Sequence, residues 1–260
     1  MITETQKKNI AQNVYKESAA PIIEVEHLKK TFGSNVVLRD FNLSVYPGEN
    51  IVAMGKSGIG KTVLIKCIIG LIKPDAGSLR VFGKDISKLK HWELDELRMR
   101  IGFVFQSSAL YDSMTVRENL LFPLRRRHQI KIEGTVEERI REVLRNVGLE
   151  HTIDLMPSEL SGGMRKRIGI ARSLILNPEL MLYDEPTTGL DPITSEEITD
   201  LILDLQHKYH TASIIITHDL ELAKKVANRL VFLVDGIAYL QGTYDELKNT
   251  QDMNVKPFFN

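Results

Sequence analysis

The chain has 260 residues, 43% of them hydrophobic, with 34 basic side chains against 34 acidic ones and a single cysteine, Cys67. That is enough apolar material for one large domain or two interleaved subdomains, and the balanced charge argues against a nucleic-acid partner, which selects a basic excess. One thiol excludes an internal disulfide framework, and Cys67 reads as a small buried hydrophobe.

Residues 1–20 are polar and mixed in charge, lack the apolar stretch of a secretion signal, and read as an N-terminal extension closed by Pro21. Two strand-like segments follow, Ile22–His27 and Val36–Tyr46, with a turn at Pro47-Gly48. Asn50–Met54 is a short apolar run, as expected of a buried strand, and it leads into a glycine-rich loop. From Gly60 to Ile72 the spacing of Val63, Leu64, Cys67, Ile68 and Leu71 predicts a helix. Further strands are expected at Ser78–Phe82 and Ile101–Phe105. Residues 110–176 are mostly helical in pattern, as in Glu137–Val147 and Arg165–Leu176. Strand and helix then alternate through Leu180–Tyr183, Ser195–His207, Ser213–Thr217, Leu220–Val226 and Leu230–Val234. Such alternation implies an α/β core of parallel strands, here with a helical insertion. Apolar runs such as Leu230–Val234 fall far short of the roughly 18 residues of a membrane-spanning helix. A cytosolic chain is expected, and any membrane part must come from another polypeptide.

Three motifs carry chemistry. Gly55-Lys56-Ser57-Gly58-Ile59-Gly60-Lys61-Thr62 is a complete phosphate-binding loop, set between a strand and a helix that continues through Val63. Glycines let successive N–H groups curl around an anion, and the helix N-terminus adds partial positive charge. Lys61 suits the β- and γ-phosphates and the Thr62 hydroxyl suits Mg²⁺, while Lys56 occupies a free, solvent-facing position. In the second motif, the apolar strand Leu180–Tyr183 ends in Asp184 and Glu185. Beside a phosphate loop, Asp184 is placed to bind Mg²⁺ and Glu185 to deprotonate an attacking water; a strand end with solvated acids is the plainer alternative. The third motif, Ser161-Gly162-Gly163-Met164, opens a helix, either as a simple cap or as a second phosphate clamp. One nucleotide does not need two clamps from the same chain, so a partner chain is implied.

In this order the motifs resemble the ABC ATPase family, over about residues 22–245. The resemblance implies an ABC-type P-loop NTPase of about residues 21–250, with a parallel-sheet core, an antiparallel β-subdomain and a helical subdomain at about 107–177, followed by a tail at 251–260. It implies ATP and Mg²⁺ as ligands and a homodimer with two nucleotides sandwiched head to tail. It further identifies Gln106 with the loop glutamine that contacts Mg²⁺ and water, His218 with the switch histidine at the γ-phosphate, and Asp191 with the loop aspartate that communicates across the dimer. Phe32 sits where the family stacks an aromatic on adenine, with a core aromatic as the alternative.

Leu155 to Met164, Phe105 to Tyr111, Asp191 to Thr194 and the tail Asn254 to Phe259 are similar to the ATPases of bacterial Mla and Mce phospholipid-transport systems. That similarity implies work beneath a multi-span permease at the cytoplasmic face of the inner membrane, with a lipid-binding Mce-type protein in the complex. It also implies a tail that reaches the other ATPase copy. A transporter for another solute or lipoprotein would share every catalytic residue, and a division-type regulator with a membrane partner is a further alternative. Arg125-Arg126-Arg127 reads as a solvated helix end, and His207 and His210 share a helix face without the further ligands a metal needs.

Overall fold

Apolar residues spaced to one side of two long strands build the first sheet. In β1 (Ile23–Phe32) and β2 (Asn35–Val45), Ile23, Val25, Leu28, Leu38, Phe41, Leu43 and Val45 are buried while most residues between them face out. The computed structural model describes residues 20–125 and 134–259. The extension at residues 1–19 and Arg126 and Arg127 of the arginine run lie outside them. β1 runs five residues beyond the segment expected from sequence, because a register shift around His27, whose φ is 51°, lets the strand bend and continue. With β4 (Ala76–Val81) and the short β5 (Lys84–Asp85) these strands form an antiparallel sheet in the order β2-β1-β4-β5.

The second sheet has the order β10-β9-β3-β8-β7-β6. Its strands are β3 (Asn50–Met54), β6 (Ile101–Val104), β7 (Leu180–Asp184), β8 (Ala212–Ile216), β9 (Arg229–Val234) and β10 (Ile237–Gly242). All neighbours are parallel except the β9–β10 hairpin. β3, β7 and β8 are buried at every residue, which is why they read as apolar runs without alternation. On one face Ile51, Ala53, Leu182, Ile214 and Ile216 join the antiparallel sheet and α1 (Lys61–Ile68). On the other, Val52, Met54, Met181, Tyr183, Ile215 and Phe232 join a second core. That second core takes in α3 (Val116–Arg125), α4 (Val136–Asn146), α5 (Gly162–Leu174), α6 (Pro192–Tyr209) and α7 (Leu220–Val226). Among the described residues the other α-helices are α2 (His91–Met99), which precedes β6, and α8 (Tyr244–Lys248).

Helix ends follow local chemistry. α1 stops at Ile68 rather than Ile72, because Gly70 takes a left-handed conformation (φ 67°) while Gly70 N–H donates to Cys67 O and Leu71 N–H to Lys66 O. Leu71, expected on the buried face, is therefore exposed. α6 begins at Pro192, three residues ahead of the expected start, capped by Asp191, whose carboxylate accepts from Thr194 N–H.

Register aligns the functional ends of the strands. Ala53 pairs with Ile216, Ile216 with Asp184, and Tyr183 with Val104. The carboxyl ends of β3, β8, β7 and β6 therefore stand side by side, the edge of an open α/β sheet where ligands bind. Cys67 is fully buried on α1, and burial pushes its thiol up to about 11, so it is an inert core residue.

The C-terminal residues turn back onto their own chain. Val255 is fully buried, the Phe232 ring meets Phe258 and Phe259 at centroid distances of 5.1 and 5.8 Å, and Tyr244 meets Phe259 at 5.5 Å. Within this single chain the tail caps the end of the helical core.

Candidate active site

A cleft of about 500 Å³ opens at the aligned strand ends. Its walls include Phe32, Val37, Gly55, Ser57, Gly58, Gly60, Lys61, Thr62, Val63, Gln106, Asp184, Glu185, Thr188 and His218. The loop after β3 is shaped by contact as much as by conformation. A Cβ on Gly55 would lie 2.7 Å from the Leu233 carbonyl oxygen, and Gly60 caps α1 in a left-handed conformation (φ 108°) with Val37 against it. The cap uses no side chain, so the first turn of α1 presents its N–H groups to the loop. Lys61 is buried, and its ammonium donates to Gly55 O at 2.5 Å and to Lys56 O at 3.0 Å. Burial lowers the Lys61 pKa, while the charges of Glu185 and Asp184 oppose that shift. The Lys56 side chain is exposed and does not line the cleft, and neither does Ile59. Phe32 is 47% exposed at the rim, which removes the alternative of a core aromatic.

Opposite the loop, Thr62 donates its hydroxyl to Asp184 Oδ1 at 3.2 Å. Burial raises the Asp184 pKa, and the Thr62 bond partly counters it. Among the described residues no three His, Cys, Asp or Glu side chains gather into a metal cage. A hydroxyl and a carboxylate in contact, with the Gln106 amide in the same cleft, are instead hard oxygen donors of the kind that hold Mg²⁺ with substrate phosphates.

Glu185 follows β7 with φ at 50°, in the left-handed region, and its N–H donates to Ile216 O at 2.9 Å. That conformation turns its side chain into the cleft, where Oε2 takes the Thr188 hydroxyl at 3.2 Å and meets His218 Nδ1 at 2.8 Å. Residues from the start of α1 and the ends of β7 and β8 are thereby in direct contact: Thr62 with Asp184, and Glu185 with His218.

The structure does not bring Ser161, Gly162, Gly163 or Asp191 to this cleft. Ser161 caps α5, its hydroxyl accepting from Met164 N–H at 3.2 Å. Asp191 caps α6, and hydrogen bonds from Thr194 hold its carboxyl below the usual range. The two helix starts touch, since a Cβ on Gly163 would lie 2.6 Å from Thr194 Cγ2. Sequence reasoning missed Thr188 and Lys166. Thr188 has no pattern of its own beyond standing three residues after Glu185. Lys166 is buried within α5, and its ammonium donates to Gln106 O at 2.5 Å, a contact no spacing rule reveals.

Residues 38–188 match the protein family described as ABC transporter. The chain is 38% identical over 238 residues to the probable ribonucleotide transport ATP-binding protein mkl of Mycobacterium leprae, covering 92% of this chain and 68% of that protein. It is also 38% identical over 237 residues to the intermembrane phospholipid transport system ATP-binding protein MlaF of Haemophilus influenzae, covering 91% of this chain and 89% of that one. Among solved structures, the dimeric post-hydrolysis state of the ATP-binding cassette MJ0796 bound to ADP and Pi superposes with a TM-score of 0.76 at 32% identity. That match covers 85% of this chain and 98% of the cassette.

Proposed function

Because the chain belongs to the ABC transporter family, as an ATP-binding subunit that hydrolyses ATP, we propose that it drives phospholipid transport between membranes. The observation that carries the lipid assignment is the match to the phospholipid-system ATPase, which spans 89% of that relative. In this reading two copies work at the cytoplasmic face of the inner membrane beneath a multi-span permease, with an Mce-type lipid-binding protein in the complex. No helix among the described residues is long and apolar enough to cross a membrane, and in this reading the permease supplies the membrane path.

Hydrolysis is assigned to the contacts in the cleft. Phe32 stacks on adenine, and the N–H groups of Gly55 to Val63 with the Lys61 ammonium hold the β- and γ-phosphates. Thr62, Asp184 and Gln106 would hold Mg²⁺, which when bound would neutralise charge on the phosphate oxygens. Glu185 takes a proton from water as its oxygen bonds to the γ-phosphorus and the bond to ADP breaks. His218 orients Glu185 through the 2.8 Å contact and grips the γ-phosphate. Ser161, Gly162 and Gly163, which lie off this chain's own cleft, clamp the γ-phosphate of the partner copy, and Asp191 signals across the interface. ATP closes the dimer, and loss of the γ-phosphate opens it.

Affinity purification of the tagged protein in mild detergent, with mass spectrometry of proteins and lipids, tests the cargo. A multi-span permease, a membrane-anchored lipid-binding protein and bound phospholipid are expected. A solute-type permease without lipid would overturn the lipid assignment and favour a small solute, a reading supported by the mycobacterial relative named for ribonucleotide transport.

A further inference from the structure

The helix that carries the Ser161 motif also grips the loop that carries Gln106. Arg172 on α5 donates to Ser108 O at 3.2 Å and to Ala109 O at 2.8 Å. Ser108 and Ala109 both have positive φ (61° and 47°), and Gly169 lets their backbone approach, since a Cβ there would lie 3.2 Å from Ser108 Cβ. Two successive left-handed non-glycine residues are costly and persist where surrounding bonds hold them. Ser173 completes the seam, its hydroxyl donating to Phe103 O at 2.9 Å.

Lys166 differs from these in reaching two site residues at once. It is 6% exposed, and its single ammonium donates to Gln106 O at 2.5 Å and to Glu185 O at 3.4 Å. Gln106 follows β6 and Glu185 follows β7, neighbouring parallel strands. Glu185 is itself in the left-handed region, so the bond falls on a backbone whose conformation decides where its carboxylate points. A buried ammonium loses hydration that an apolar residue would not need. Two carbonyl acceptors return part of that loss, at the one place where the carbonyls belong to the two residues that face attacking water.

We propose that Lys166 is a positioning residue for hydrolysis. Its ammonium ties the backbones of Gln106 and Glu185 to α5, so that the water site is held in register with the helix whose N-terminus clamps the partner's nucleotide. The inference rests on the assignment of Glu185 as base and Gln106 as the loop glutamine. Lys166 does not line the cleft and works through these two residues.

The test compares K166M, which keeps the apolar stem and loses the donors, with K166R, which keeps a donating cation, in the full chain. E185Q is the reference. For each, steady-state ATPase kinetics are measured alongside the Kd of a fluorescent ATP analogue and backbone hydrogen exchange over residues 105–109. K166M is expected to lower kcat by about tenfold or more while KM and the analogue Kd stay within about twofold. Exchange in the loop is expected to quicken by about fivefold, and K166R to recover kcat to within about threefold of wild type. If K166M cannot be purified, K166Q, which retains a neutral donor, takes its place with the same expectations. A K166M kcat within about twofold of wild type, beside an inactive E185Q, would overturn the positioning role alone. So would a loss of kcat matched by an equal rise in Kd, which marks general damage to the site. A fully active E185Q would remove the base assignment, and the positioning role with it.

Discussion

Lys61 shows how one residue is shaped by conflicting demands. Its ammonium is buried among carbonyl oxygens, and burial depresses its pKa despite the nearby carboxylates. A lysine whose folded pKa lies below its ordinary value destabilises the fold at neutral pH, and the penalty fades as pH rises through the folded pKa toward the ordinary value. Lys61→Met is therefore expected to raise the melting temperature of the nucleotide-free protein at pH 7 by about 2 °C or more. The gap should narrow toward pH 10, and ATP with Mg²⁺ should no longer stabilise the variant. Thermal scans at two pH values check this, and a fall of several degrees without nucleotide would contradict it. At this scale the phosphate loop and the acid pair were legible because each chemistry sits on consecutive residues. The Phe32 alternatives were decided by exposure, which only the fold supplies. Lys166 and Thr188 stayed hidden, because a buried cation on a helix and a hydroxyl after a strand acquire meaning from what packs against them.

Elements meet where α5 and α6 begin, and that junction has a steric signature. Gly163 faces the Thr194 methyl, and an added Cβ would stand 2.6 Å from it. Alanine normally favours a helix over glycine by about 1 kcal/mol, so any loss on Gly163→Ala measures the clash. G163A is expected to destabilise the chain by about 1–2 kcal/mol. T194S removes the methyl and keeps the hydroxyl that donates to Asp191 Oδ2 at 2.6 Å, so the double variant should regain most of the loss. Denaturant titration of the four proteins gives the coupling, and simple additivity would show that the two helix starts do not press on each other. The helices α1, α4, α5, α6 and α7 were legible from periodicity, with errors at their ends, whereas α2 and α8 carried no expectation from sequence. α6 starts ahead of the expected Ser195 because Asp191-Pro192 is a cap followed by proline at the first helical position. The end of α1 was overrun because Leu71 continued the apolar spacing past Gly70. β10 had no sequence signal of its own: it alternates weakly and is defined by its pairing with β9.

At the scale of the molecule, a buried ion pair joins the turn before β3 to β9, and the same guanidinium reaches the antiparallel sheet. Glu49, almost fully buried, receives Arg229 Nε at 2.9 Å and Nη2 at 3.1 Å, while the same guanidinium donates to Ser44 O at the end of β2 and to Gln241 on β10. Removing one partner strands a buried charge, so Glu49→Ala is expected to cost about 3–5 kcal/mol, a drop of roughly 10 °C in melting temperature. An E49M/R229M pair should lose much less, and equal losses would show that the ion pair is not the source. The ion pair was invisible in sequence, since 180 positions separate its members. A larger consequence of the architecture is that the cleft holds the phosphate loop, Glu185 and His218 but not Ser161 or Gly163. If each site is built from two chains, chains broken at opposite halves can rescue each other. K61M spoils the loop and Ser161→Arg spoils the clamp, so each variant alone should be inactive. In a mixed dimer the intact loop of one chain faces the intact clamp of the other, and one of the two sites is whole. With random pairing half the dimers are mixed, so equimolar mixing should recover about a quarter of wild-type ATPase activity if sites act independently. Activity should rise along the mixing ratio to a maximum at equal amounts. A flat, inactive profile, with dimer exchange confirmed by differently tagged chains, would mean that one chain builds its whole site alone or that one intact site cannot turn over beside a broken one. A double variant carrying both substitutions, mixed with wild type, separates the two, because its mixed dimers contain only half-built sites.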